Sequence, residues 1–280
     1  MDEPQRPPPC LYEKHAVMEE DIKVHGSWPR EVRFIGMIIL FPGDSQWRLT
    51  RKLREKNNQM SHSEAAMSPE ATSEVYGTFL CVSCHDAGQE AIMRIVMQIP
   101  FAGSELAGPR EKSEQAKQVL PKEAQRMLHT LEQITEQNLK SGPRLSAMDL
   151  RTQSLDDFVP GGFSLFLLLE KLPGLQLGPL FWKFPRNERN RIRANFKRAW
   201  IECTQATRYD LTSALEKVFW DASTNRVSFY DFMSGCQFRE DEDRSWKELN
   251  WFAWDLVKMP PSHSWIPTEE NSSVMKNWIW

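Results

Sequence analysis

Phe163 to Leu169, FSLFLLL, is apolar except for one serine, and no polar residue alternates with the rest. A run this short and continuous is expected to be buried on both faces as a central strand. Gly161 and Gly162 introduce it. Glu170-Lys171-Leu172-Pro173-Gly174 ends it, with Pro173 and Gly174 stopping the strand and turning the chain.

The second constraint is Arg208 to Asp231, RYDLTSALEKVFWDASTNRVSFYD. Two apolar runs, Val218-Phe219-Trp220 and Val227-Ser228-Phe229-Tyr230, flank Asp221 to Asn225, whose Asp, Ser and Asn close turns through their own backbone. The hairpin so formed has a carboxylate at each end, Asp210 and Asp231. One acid before a hairpin and another leaving its last strand is an arrangement used in phosphoryl transfer, for the nucleophile and a metal ion respectively.

Elsewhere, Phe34 to Phe41 reads as a strand ended by Pro42-Gly43-Asp44, and Trp47 to Lys56 as a short basic helix. Asn57 to Thr72 is polar and reads as a loop. Two strands follow between Gly77 and Pro100, separated by the turn HDAGQ. Leu120 to Thr135 carries Leu120, Ala124, Met127, Leu128, Leu131 and Ile134 on one helical stripe, with Pro121 suited to its first turn. Asn138 to Asp157 reads as a polar connector. Arg189 to Cys203 is a helix burying Ile192, Phe196, Ala199, Trp200 and Cys203, and Trp246 to Val257 is expected to form another. The C-terminal Trp265, Trp278 and Trp280 are expected to pack back onto the fold.

With 280 residues and 40% apolar content the chain can build a real core. A net charge of -3 supplies no electrostatic case for nucleic acid or an anionic membrane. The basic residues from Arg186 to Arg198 alternate with Ile192, Phe196 and Trp200, and read as a solvated helix face. No run approaches the roughly 20 apolar residues of a membrane span. The proline- and charge-rich segment 1–30 lacks signal-peptide character and is expected to be flexible. An intracellular location, cytoplasmic or nuclear, is the expectation. Five scattered cysteines then read as reduced thiols. Cys81-Val82-Ser83-Cys84-His85 matches the spacing for haem attachment, but it ends a strand-like run before a turn, so neither haem nor zinc is expected.

Four blocks, Gly77 to Pro100, Phe158 to Gly174, Phe181 to Trp200 and Val218 to Phe232, resemble the protein kinase and aminoglycoside phosphotransferase superfamily, and within it small fungal kinase-like proteins. The resemblance implies a two-lobed kinase-like α+β fold with a reduced helical C-lobe. Residues 31–160 would form the N-lobe, with a polar loop near 57–72. Residues 161–178 would be the central strand and inter-lobe linker, and 179–280 the C-lobe. It implies ATP and magnesium as cofactors. Arg94 stands where the family's strand lysine holds nucleotide phosphates, Glu123 where a helix glutamate pairs with it, and Glu170 at the linker that meets the adenine edge. Asp210 is the implied catalytic base and Asp231 the implied metal ligand.

The motifs depart from that pattern. Arginine is a broad planar fork where a compact ammonium belongs. Arg208 precedes Asp210 and Leu215 follows it, where a histidine and a metal-binding asparagine are usual. Counting back from the hairpin instead puts Thr212 at the catalytic position and Lys217 at the asparagine position. Either register loses the asparagine, and Lys217 would bring a cation to a magnesium site. Met233 stands where glycine or an acid is usual, no A-P-E-like anchor appears, and the 49 residues after Asp231 are expected to be too few for the family's substrate-binding helices. The reading is a catalytically degenerate protein that acts by binding a protein or small molecule. The alternatives are an active ATP-dependent phosphotransferase and an accessory protein of a fungal metabolic pathway.

Overall fold

The computed structural model describes residues 31–68, 70–232, 236–239, 241–262, 265–268 and 271–280. The expectations for residues 1–30 and for Met233 lie outside them. Glu31–Phe34 is a single helical turn, α1. It is followed by β1 (Ile38–Phe41), β2 (Ser45–Asn58), α2 (His62–Met67), β3 (Glu74–Ser83), β4 (Glu90–Gln98), α3 (Pro109–Ser113), α4 (Lys122–Glu136), β5 (Leu145–Thr152) and β6 (Phe163–Glu170). The six strands form one antiparallel sheet in the order β1-β2-β3-β4-β6-β5. The apolar run therefore occupies an interior position between β4 and β5, buried from Phe163 to Leu169.

The second half of the chain contributes β7 (Leu175–Gln176), α5 (Arg186–Thr207), β8 (Tyr209–Asp210), β9 (Val218–Asp221), β10 (Arg226–Phe229), β11 (Cys236–Gln237) and α6 (Asn250–Ala253). The hairpin forms as read: β9 and β10 pair antiparallel, and β7 joins them as a third strand. Its turn is closed by the Asp221 carboxylate, which accepts from the Ser223 backbone N–H and from the Ser223 and Thr224 hydroxyls.

Several segments differ from the sequence reading. Trp47 to Lys56 is not helical; it is most of β2, because Trp47 and Leu49 bury at strand spacing while Arg48 between them, and Arg51 and Arg54 beyond, are exposed. The polar loop near 57–72 contains α2, whose start is a capping box formed by Ser61 and Glu64. The connector Asn138 to Asp157 holds β5, an edge strand of alternating half-buried and exposed residues. The strand expected from Phe34 begins only at Ile38, since Gly36 turns the chain at φ +87. Between Trp246 and Val257 only one helical turn forms, and Trp251 and Trp254 are buried by aromatic packing instead. The basic face of α5 is not wholly solvated: Arg193 is buried and donates to the Leu256 carbonyl.

One apolar cluster fills the sheet face carrying Tyr76, Val96, Leu165, Leu167 and Leu169, and continues through α4, α5, the β9–β10 hairpin and the C-terminal tryptophans. A second lies on the opposite face around Leu49, Phe79, Met93, Ile95, Phe166 and Leu168. Trp278 packs on Phe252 and Trp280 on Trp251, whereas Trp265 is exposed. Among the described residues no helix is long and apolar enough to cross a membrane.

Candidate functional site

Strand periodicity places Arg94 in the middle of β4, between Thr78 and Leu167, on the sheet face that α4 and the hairpin cover. Asp231 leaves β10 immediately beneath it, with its side chain 1% exposed. Three cations surround that carboxylate: Lys217 Nζ at 3.3 Å, Arg54 Nη1 at 3.7 Å and Arg94 Nη1 at 3.9 Å. The Arg94 side chain is 2% exposed; burial pushes its ionisation down, and the nearby Asp231 charge works against that. Its Nη1 also contacts Met127 Sδ at 3.4 Å, and its Nε is buried with no partner among the described residues.

Lys217 ends a 3-10 turn (Leu215–Lys217) that leads straight into β9, so it faces the residue that follows β10. Arg54 arrives from β2. The ladder is irregular between Lys52 and Arg54, so Leu53 and Arg54 together oppose Thr78, and both reach the same side of the sheet. Arg54 Nη1 also donates to the Tyr230 hydroxyl at 3.1 Å.

Next to this cluster is an open cavity of about 510 Å³, bounded by β2, β3, β4, the end of β6, the turn after it and the hairpin. Arg51, Arg54, Arg94 and Lys171 bring positive charge to its wall, and Glu90 and Glu170 bring negative charge. Lys171 forms an ion pair with Glu90, and Glu170 accepts from the Arg144 backbone N–H. The wall at the turn depends on Gly174, which at φ +91 lets the chain pass against the backbone of Trp220; a Cβ there would lie 2.2 Å from the Trp220 carbonyl oxygen.

Of the residues singled out from sequence, Arg94 and Glu170 line this cavity and Asp231 stands behind it. Glu123 does not serve Arg94. It pairs with Lys56 Nζ at 2.6 Å, beside Tyr76 and Glu74, because the first turn of α4 faces the far end of β2. Glu74 is buried there, and loss of hydration pushes its carboxyl up to about 7. Asp210 lies on β8 against β11 and is not part of the cavity wall. It is exposed as a residue, but partial loss of hydration and the neighbouring Glu242 raise its carboxyl to about 6.

The cations of β2 have no strand signal in the sequence, since Arg48, Arg51, Lys52 and Arg54 are set around Leu49 and Leu53 without a period of two and fit a basic helix equally well. The two C-x-x-C sulfurs occupy unlike places. Cys81 is buried against the Ala91 carbonyl with its thiol pushed up to about 12 by burial, and Cys84 is exposed.

No family model matches the sequence, and no curated protein does. Among solved structures the chain is similar to one titled "Structure of vaccinia related kinase 3", at 12% identity and a TM-score of 0.37, over 74% of this chain. The match spans about half of that structure, 54% of its chain. A likeness at this level describes no site.

Proposed function

We propose that this chain is a kinase-like protein in which the phosphotransfer centre has become an ion-paired core, and that it acts through binding at the adjoining cavity. The observation that carries this reading is the enclosure of Asp231 by Lys217, Arg54 and Arg94. A magnesium ion requires oxygen ligands in near-octahedral geometry with several of its waters retained. The side chains gathered at Asp231 are cationic nitrogens, which repel such an ion and already occupy its carboxylate. These residues do not fit magnesium.

The order of the elements supports the kinase-like part of the reading. Leaving aside β5, a strand bearing a buried cation is followed by α4, then by the central strand β6 and a Pro-Gly turn, then by α5 and a hairpin that ends at a buried aspartate. That is the sequence of parts the resemblance implies. Lys217, on this reading, occupies the position of the lost asparagine, which favours the register counted back from the hairpin.

Phosphoryl transfer depends almost entirely on positioning and charge neutralisation, so the exchange of a metal ligand for a lysine should remove it. The test is turnover of ATP with magnesium by the purified chain. We expect none above background, and we expect Lys217→Asn to increase magnesium-dependent nucleotide binding. Turnover near ordinary kinase rates of about 1 to 100 per second, abolished by Asp210→Ala, would overturn the reading in favour of an active phosphotransferase.

A further inference from the structure

The cavity beside Asp231 has more positive charge than its own acids can neutralise. Arg51, Arg54, Arg94 and Lys171 line it and Lys217 stands behind, against Glu90, Glu170 and Asp231. Glu90 is taken up by Lys171, and Asp231 is shared among three cations at 3.3 to 3.9 Å. Arg51 has no carboxylate partner among the described residues, and the Arg94 Nε is buried without an acceptor. Arg94 lines the cavity with its Nη1 held no closer than 3.9 Å to Asp231, so its guanidinium keeps donor capacity that its own surroundings do not use up. Much of the remaining wall is apolar, namely Leu53, which is 44% exposed, with Leu80, Ile92 and Leu169, and Phe219 set edge-on to Tyr230 at 5.5 Å, while Thr78 and Gln176 add polar groups. The volume is within the range for small-molecule sites.

We infer that this cavity binds an amphipathic organic anion, a flat apolar body carrying one phosphate or carboxylate group, and that it does so without a divalent cation. The oxyanion meets Arg51 and Arg54 at the mouth and Arg94 within, and planar guanidinium forks suit either head group. The apolar body lies against Leu53, Leu80, Ile92 and Phe219. No metal is needed, because the cations of β2 and β4 supply the charge that a metal would otherwise bring. The inference rests on the cavity being the binding site of the proposed function, but not on the absence of turnover.

The probes are 1-naphthyl phosphate, 2-naphthoate and neutral 1-naphthol, titrated calorimetrically into the full chain in EDTA and again in magnesium. The two anions should bind equally well in both buffers. 1-Naphthol should bind about tenfold more weakly or worse, as expected for loss of a charge-assisted contact. Preference for one anion over the other identifies the head group. Arg51→Gln, at an exposed position with no ion-pair partner among the described residues, should weaken anion binding about three- to tenfold, and Arg110→Gln, an equal change of net charge away from the cavity, should not. The inference fails if 1-naphthol binds as well as the anions, if magnesium is required, if neither anion binds up to millimolar concentration, or if Arg51→Gln and Arg110→Gln behave alike. Detection of ATP turnover together with anion binding in EDTA would sink the degenerate reading and leave this one standing.

Discussion

Asp231 and Glu74 are both buried carboxyls, and their surroundings set opposite behaviour. Asp231 has three cations within 4 Å, so removing its charge strands Arg94 and Lys217 in a poorly hydrated site. Breaking a buried ion pair by neutralising one partner typically costs about 3 to 5 kcal/mol, and Asp231→Asn should lower stability by that amount in urea unfolding. A loss below about 1 kcal/mol would mean that water screens the cluster. Glu74 instead loses hydration and sits near Glu123, with Lys56 and the Asn58 amide only partly compensating. Its folded value of about 7 lies above the ordinary 4.5, so the native state holds the proton more tightly than the unfolded chain. Its contribution is therefore complete below about pH 4.5 and lost as pH rises through 7, on the order of 3 kcal/mol in all. Glu74→Gln should flatten that part of the stability profile, and unfolding midpoints at pH 5 and pH 7.5 in the two proteins will show whether it does.

At the scale of elements, the turn after β6 is held by backbone contact. Gly174 combines a positive φ with a 2.2 Å approach of any added Cβ to the Trp220 carbonyl. Gly174→Ala should cost about 2 to 4 kcal/mol, with no compensating side-chain movement available because the obstacle is main chain. An unchanged unfolding midpoint would show that the turn and β9 separate freely. The same scale shows which elements are legible. β6, the β9–β10 hairpin and the stripes of α4 and α5 combine a strong apolar pattern with clear stop signals, and local composition suffices to place them. β5 was hidden because half of its pattern faces solvent at the sheet edge and Asp149 pairs with Arg151 along it. β2 has the sequence character of a basic helix because its basic side chains permit either period, and its irregularities break the alternation that marks a strand.

Across the whole molecule, the cluster under the sheet is continuous with the helical and C-terminal half, so the two halves share one apolar interior. Phe196 on α5 stands near its centre, with Phe229 at 5.5 Å, Trp254 at 5.1 Å and Trp246 at 6.2 Å between ring centroids. Phe196→Ala should cost about 3 to 5 kcal/mol. Since the core is shared, tryptophan fluorescence and the β-sheet circular dichroism signal should shift to lower denaturant together. Separate transitions would mean that the sheet and the helical half fold independently.

The residues alone determined that a strand buried on both faces lies near the middle of the chain and that a hairpin closes just before Asp231. Those features arise from local periodicity and turn chemistry, which act over a few residues. That Arg54 joins Arg94 and Lys217 around Asp231, that Glu123 serves Lys56 instead of Arg94, and that Asp210 lies away from the cavity wall depended on the assembled fold. Arg54 and Asp231 are far apart in the chain, and only the irregular register of β2 against β3 turns that arginine toward the carboxylate. Register between distant strands is chosen by burial of the whole sheet, and no short stretch of sequence contains that information.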